Sequence, residues 1–338
     1  MEKIKVTFYH RKSRAIGNYS LEFMFADVRQ RLDDKIDSKI FESTYESSGF
    51  FKRLYNVFEA AFNQNDVNHV TGDINYVGIL FNKNKAIHTI LDCIHLKSST
   101  GLKHKILKYF WLHLPQKKSR FITAISTSTK NEILKYAPSC NPDKIVVIPV
   151  AISEQFVFVE KPFNKSKPTI LQLGTAPNKN IENLILALKN IPCKLIIIGV
   201  KHLNLINLLE SSGLDYNYLH GLSNEEILNH YQNADIVTLC STYEGFGMPI
   251  LEAQATGRAV ITSNCFSMPE VGGNAAHYVN PLDIEEMKNG FLQIIENDTY
   301  RENLIALGLE NVKRFNPTVI ANMYFELYKK VHASNKTY

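Results

Sequence analysis

The chain has 338 residues, 45% of them hydrophobic and 21% charged, which is the make-up of an ordinary globular protein of about two domains. A formal net charge of +5 is small for this length and gives no reason to expect nucleic acid. Five scattered cysteines without a C-x-x-C pair provide neither a disulfide framework nor a metal site and fit a reducing compartment. The N-terminal residues lack a signal-peptide apolar core and no apolar run reaches membrane-span length, so a cytoplasmic location is expected.

Short apolar runs alternate with amphipathic segments of helix length along the chain, which predicts parallel sheets with crossover helices. Residues 4–9 read as the first strand. A loop containing Gly17 follows, and Ser20 suits the N-cap of a helix to about Leu32. Further strands are expected near 38–44, 67–71, 86–91, 121–125 and 145–148, with helices near 50–64, 101–118 and 128–136. Residues 151–167 lack helical periodicity, contain Pro162 and several lysines, and read as a linker. A second series then begins: strand 168–174, helix 181–190, strand 194–199, helix near 201–211, strand 216–219, helix 224–232 and strand 234–240. It continues with a helix from about 249, strand 258–263, a short strand near 276–279, and helices at 284–296, 299–313 and 317–333. The expected architecture is α/β, two doubly wound Rossmann-like domains facing across a cleft: residues 1–150, and residues 168–316. The terminal helix, 317–338, is expected to pack back toward the first domain. Ligands of such sheets bind at the carboxyl ends of the strands.

The chemistry concentrates in residues 234–281. A strand ends near Cys240, a polar turn with Gly245 and Gly247 follows, and Pro249 suits the start of a helix, where its missing amide costs nothing. A strand, a glycine turn and a helix start present backbone N–H groups and the positive end of a helix dipole to an anion such as phosphate. Glu244 sits in the turn and Glu252 about one helical turn on. A carboxylate can accept two vicinal hydroxyls, so two acids around one phosphate-binding turn suit a nucleotide sugar. An isolated Glu there would be an ordinary helix-start acid. The combined pattern favours the ligand-binding reading.

The spacing Glu244 to Glu252 resembles the E-x7-E motif of glycosyltransferase family 4, the bacterial group 1 type with the GT-B fold. YEGFGMPILEAQATGRAVITSN, SMPEVGG and AAHYVNPLD resemble that family nearly position for position. LQLGTAPNKNIENLILAL resembles its phosphate-binding strand-loop-helix, and FITAISTSTKNEILKY the end of its first domain. The likeness is strong over about 120–320. It implies a retaining, metal-independent hexosyltransferase of polysaccharide or lipopolysaccharide assembly, with no cofactor beyond its nucleotide-sugar substrate. Glu244 would contact the transferred sugar and Glu252 the ribose, while the amides of Gly245, Phe246 and Gly247 would face sugar or diphosphate. Lys179, in the loop after Gly174, would neutralise the diphosphate in place of a metal ion, and Gly17 would let the first loop approach the donor. The acceptor would be a glycan or a lipid-linked glycan, taken by the N-terminal domain.

The pattern departs from the family in two places: the 174–179 loop lacks an Arg, and Leu91 stands where a His usually precedes Asp92. These departures leave a sugar-nucleotide binder without turnover, or a nucleotide-sugar epimerase of the same fold, as alternatives. His95 is a candidate to replace the missing imidazole. His69, at a strand end, is a candidate to line the cleft. Glu270 and Gly221 are candidate donor contacts. The basic stretch 103–120, with Tyr109, Phe110 and Trp111 among its lysines, is either a solvated helix flank or a peripheral contact with the inner face of a membrane.

Overall fold

The computed structural model describes residues 2–12, 20–72 and 74–335, the side chains of 20–23 and 335 apart. It forms two units, Met1–Ala151 with Pro317–Tyr338, and Ile152–Asn316.

In the first unit, β1 (Ile4–His10), β2 (Ile36–Glu42), β3 (Val67–Val70), β4 (Ala86–Ile90), β5 (Phe121–Ala124) and β6 (Ile145–Val147) form one parallel sheet in the order β2-β1-β3-β4-β5-β6. The register sets Ile4 opposite Ile36 and Val6 opposite Val67. All five residues of β4 are buried, as an inner parallel strand covered on both faces requires. The helix Ser20–Arg31 and the terminal helix Pro317–Asn335 cover one face. Phe25, Val28, Ile320, Tyr324 and Tyr328 close over Val6, Phe8 and Val67 in a single core. Arg31 and Lys35 tie the terminal helix down through Thr318 and Asn322, each at 3.1 Å.

In the second unit, β7 (Thr169–Leu173), β8 (Lys194–Ile198), β9 (Asp215–Leu219), β10 (Ile236–Leu239), β11 (Ala259–Ser263) and β12 (His277–Val279) form a parallel sheet in the order β12-β11-β10-β7-β8-β9. The strand order reverses between β7 and β10, the switch point at which doubly wound sheets open toward ligands. Ile170, Leu195, Ile197, Ile236 and Ile261 meet Leu184, Leu188, Met287 and Phe291 in its core.

Residues 152–167 contain neither helix nor strand, yet they are packed on the second unit rather than free as a linker would be. Ile152 N–H donates to the Phe315 carbonyl at 3.0 Å, Phe156 is buried edge-on to Tyr231, and the Arg301 guanidinium lies 3.8 Å from the centre of the Phe163 ring. Buried Asp235 gathers this segment in, accepting from Lys161 Nζ, Asn164 N–H and, at 2.8 Å, Thr169 N–H. The charge on Lys161 thus belongs to a fold contact, and apolar Phe156 and Phe163 supply the burial that the lysine-rich pattern masks. Among the described residues, no helix is long and apolar enough to cross a membrane.

Candidate functional site

Two loops leave the second sheet side by side at its switch point. After β7, residues 174–180 lead into the helix Ile181–Leu188. After β10, residues 240–247 lead into the helix Met248–Ala255. Three consecutive residues of the first loop lace it to the second. Thr242 N–H donates to the Asn178 carbonyl at 2.8 Å, and Asn178 Nδ2 donates to the Tyr243 carbonyl at 2.9 Å. Lys179 Nζ meets Glu244 Oε1 at 2.7 Å. Asn180 Nδ2 donates to the carbonyls of Cys240 at 3.1 Å and Pro281 at 2.6 Å. Asn180 has φ 58, a left-handed conformation that Asn tolerates better than most residues, and its amide joins the end of β10 to the turn after β12.

Gly174 is required twice over. Its φ is +78, and a Cβ there would stand 2.9 Å from Lys179 Cε. The missing side chain lets Lys179 fold over the turn toward Glu244. The contact brings together two residues that the sequence singles out separately, Glu244 and Lys179. Both side chains are mostly buried, 13% and 17% exposed, so the pair is only weakly screened by water.

Gly247, at φ 106, ends the second turn directly before Met248. Phe246 is buried with its ring edge-on to Phe315, so at this turn it can offer a ligand only its backbone. Gly245 completes the turn, with Pro249 in the first turn of the helix as the sequence predicts. Behind the turn stands Ser267, fully buried, whose hydroxyl lies 2.9 Å from the Glu244 carbonyl and 2.8 Å from that of Phe246. Ser267 carries little signal in the sequence. The only signal was its place just before Met268-Pro269-Glu270.

Glu252 lies one helical turn in, half-buried, and accepts a very short hydrogen bond from the Tyr231 hydroxyl. Tyr231 is fully buried. Burial pushes the Glu252 carboxyl up from 4.5 to about 6, while the Tyr231 bond and the Lys179 charge pull it down. Tyr231 is pushed well above its ordinary range by burial and by the neighbouring carboxylate. No motif in the sequence marks Tyr231 either.

The other candidates fall elsewhere. Glu270 is half-buried on the short helix Met268–Gly272, on the loop after β11, where its carbonyl accepts from Arg314. Gly221, at φ +71, follows the edge strand β9, two strands from β7 and so about 10 Å across the sheet. In the first unit, Asp92 Oδ1 accepts the Ile94 N–H at 2.9 Å, and His95 is exposed on the helix Ile94–Lys97. Gly17 lies outside the described residues. His69 does not line an opening. It is fully buried among Phe8, Phe25, Tyr324 and Tyr328, its Nδ1 lies 2.9 Å from the Tyr328 hydroxyl, and its Nε2 lies 2.7 Å from Thr89 Oγ1. Burial holds its pKa well below 6.5, so it is a neutral core residue; the terminal helix covers the strand position that the sequence alone left open. Among the described residues, no group of three His, Cys, Asp or Glu side chains is placed to hold a metal ion.

Residues 153–310, almost the whole second unit, match the family model described as Glycosyl transferases group 1. This unit belongs to the group 1 glycosyl transferases. The chain is 29% identical over 225 residues to the O-antigen chain mannosyltransferase B of Escherichia coli, covering 60% of this chain and 59% of that protein. It is 26% identical over 239 residues to the serotype-specific mannosyltransferase WbdA of Escherichia coli, covering 64% of this chain and 29% of that protein. The chain thus spans well under two thirds of the length of these curated relatives. The fold is GT-B. The solved structure of Anabaena Alr3699/HepE with UDP and glucose aligns with TM-score 0.75 at 15% identity over 96% of this chain and 99% of that one. WaaG, a glycosyltransferase involved in lipopolysaccharide biosynthesis, aligns with TM-score 0.72 at 13% identity over 95% of this chain and 99% of that one. In the group 1 unit the Lys179–Glu244 pair and the half-buried Glu252 therefore stand on a scaffold that relatives use for sugar transfer.

Proposed function

We propose that this protein transfers a hexose from a nucleotide-sugar donor to a glycan or lipid-linked acceptor in surface-polysaccharide assembly, with retention at the anomeric carbon. The observation that carries this reading is the Lys179–Glu244 pair at 2.7 Å on two laced loops at the switch point of the second sheet. The names of both curated relatives, and the UDP and glucose in one solved neighbour, support a sugar-nucleotide substrate.

In this reading the donor diphosphate lies against the glycine turn 245–247. Breaking the bond from anomeric carbon to phosphate places negative charge on the leaving diphosphate, and Lys179 with the turn amides stabilises it where it forms. No metal is needed for that step. Glu244 orients Lys179 and takes sugar hydroxyls, and Glu252 takes the ribose. The leaving phosphate accepts the acceptor proton on the same face, so no separate base is required. The acceptor is taken by the first unit, with the protein in the cytoplasm and its basic 103–120 stretch against the inner face of the membrane.

The test is release of nucleoside diphosphate from a panel that includes mannosyl and glucosyl nucleotides. Glu244→Ala should abolish release while far-UV circular dichroism stays unchanged. Undiminished release by that variant would sink the site assignment. Tight donor binding without release by the wild type, with every acceptor tried, would leave a binder in place of a transferase.

A further inference from the structure

The helix Phe50–Ala61 is turned inside out relative to an ordinary surface helix. Its apolar side chains Phe50, Phe51, Leu54, Tyr55 and Phe58, with Phe62 just beyond, occupy one arc of roughly 140° at 100° per residue. All six are exposed, Phe51 to 82% and Phe62 to 87%. The face turned inward is narrow and partly polar: Asn56, Val57 and Ala60. Asn56 anchors it, with Nδ2 donating to the Tyr45 carbonyl at 2.8 Å and to the Tyr76 hydroxyl at 3.3 Å, and Oδ1 accepting Tyr45 N–H at 3.2 Å. Arg53 adds a fork onto the Ser47 carbonyl at 3.0 and 2.8 Å. The helix is thus held by specific bonds with its apolar face outward, and a patch of this kind marks an interaction surface.

A second helix repeats the pattern nearby. On Gly101–Leu107 and the turn that follows, Leu102, Ile106 and Tyr109 recur at i, i+4 and i+7, and all three are exposed. Lys103 and Lys105 are exposed beside that stripe. The two helices flank one short segment, Asn75–Leu80. Its Tyr76 hydroxyl accepts from Asn56 of the first helix, and its Asn75 Nδ2 donates at 3.3 Å to the Trp111 carbonyl, in the segment Lys108–His113 that follows the second. Leu80 of this segment is itself exposed. Between Asp92 and Glu132 the chain carries seven lysines, one arginine and no acid.

We infer that the helix Phe50–Ala61 inserts its aromatic face into an anionic bilayer while the exposed Lys103, Lys105 and Lys117 hold the headgroups. Aromatic side chains beside an acid-free basic stretch match a surface that is apolar below and negative above. The inference rests on the peripheral placement proposed above and adds to it an inserting element outside 103–120.

The test is sedimentation with vesicles of phosphatidylcholine alone and with vesicles that also contain phosphatidylglycerol, whose negative headgroups attract basic segments. The full chain should bind the anionic vesicles and not the neutral ones. A Phe50→Ser, Phe51→Ser, Phe62→Ser triple variant should bind roughly tenfold or more weakly, with circular dichroism unchanged, since these side chains make few contacts in the fold. A Phe51→Trp variant adds a second indole to that of Trp111, and the emission it gains over wild type should shift to the blue on adding anionic vesicles. Failure of the wild type to bind anionic vesicles would overturn both the peripheral placement and the insertion. Wild-type binding that the triple variant retains in full, without a blue shift at position 51, would overturn the insertion alone. Concentration-dependent dimerisation that the triple variant abolishes, with no vesicle binding, would overturn it in favour of a second copy of the chain. Nucleotide release from the donor assay is a separate readout and does not bear on these outcomes.

Discussion

Replacing Glu252 with Gln should strengthen the empty protein and weaken its hold on the donor. Burial has lifted the Glu252 carboxyl from 4.5 to about 6. Because the folded value lies above the unfolded one, the associated stability is fully present below pH 4.5 and is lost as the pH rises through about 6. Above that pH the ionised carboxylate costs the fold up to about 2 kcal/mol. Gln keeps the shape and still offers an oxygen to the Tyr231 hydroxyl, but it carries no charge. At pH 7.5 the variant should therefore be more stable by up to about 2 kcal/mol, a rise of a few degrees in melting temperature. At pH 5 the gain should shrink to less than about 1 kcal/mol, because the wild-type carboxyl is then largely protonated in the fold. Donor binding should move the other way. Exchanging hydrogen bonds to a carboxylate for bonds to an amide costs about 1–2 kcal/mol, or roughly tenfold in affinity. Differential scanning fluorimetry at the two pH values, with donor titrations at pH 7.5, reads both effects. A variant that melts lower than wild type at pH 7.5, or by the same margin at both pH values, would refute the claim that burial strains this carboxylate. Unchanged donor affinity would refute its place in the donor site.

Tyr231→Phe removes the bond that holds the Glu252 carboxyl down. Wild-type donor affinity should fall as the pH drops below about 6, and in this variant that fall should begin at higher pH; a donor titration of both proteins from pH 5 to 8 checks it. Gly174→Ala forces a side chain into φ +78, at about 1–2 kcal/mol, and sets its Cβ 2.9 Å from Lys179 Cε. It should lower the melting temperature by a few degrees and slow nucleotide release by displacing the lysine from Glu244, which a thermal melt and a release assay on the same preparation will show.

How much of this could be read beforehand follows from the range over which each signal acts. The alternation of apolar runs with amphipathic segments is local, so it marked every strand of both sheets; the strand expected near 38–44 lies only two residues earlier, at Ile36–Glu42. The glycine turn and its acids are also local, eight residues from Glu244 to Glu252. Lys179 is named by resemblance alone, and its bond to Glu244, across 65 residues, is announced by neither resemblance nor spacing. Tyr231 and Ser267 had no such help. Each sits 21 or more residues from its partner, and a tyrosine late in a helix or a serine ahead of a proline looks like many others. His69 shows the reverse failure: a strand end opens to a crevice only if nothing covers it, and a helix 259 residues further along the chain supplies the covering Tyr328. The outward-facing helix Phe50–Ala61 marks the sharpest limit. Periodicity fixes that one arc is apolar but carries no sign for inward or outward. That sign is set here by Asn56, whose bonds to Tyr45 and Tyr76 exist only once the chain has brought those residues together, and so a pattern that normally announces a core instead announces a surface.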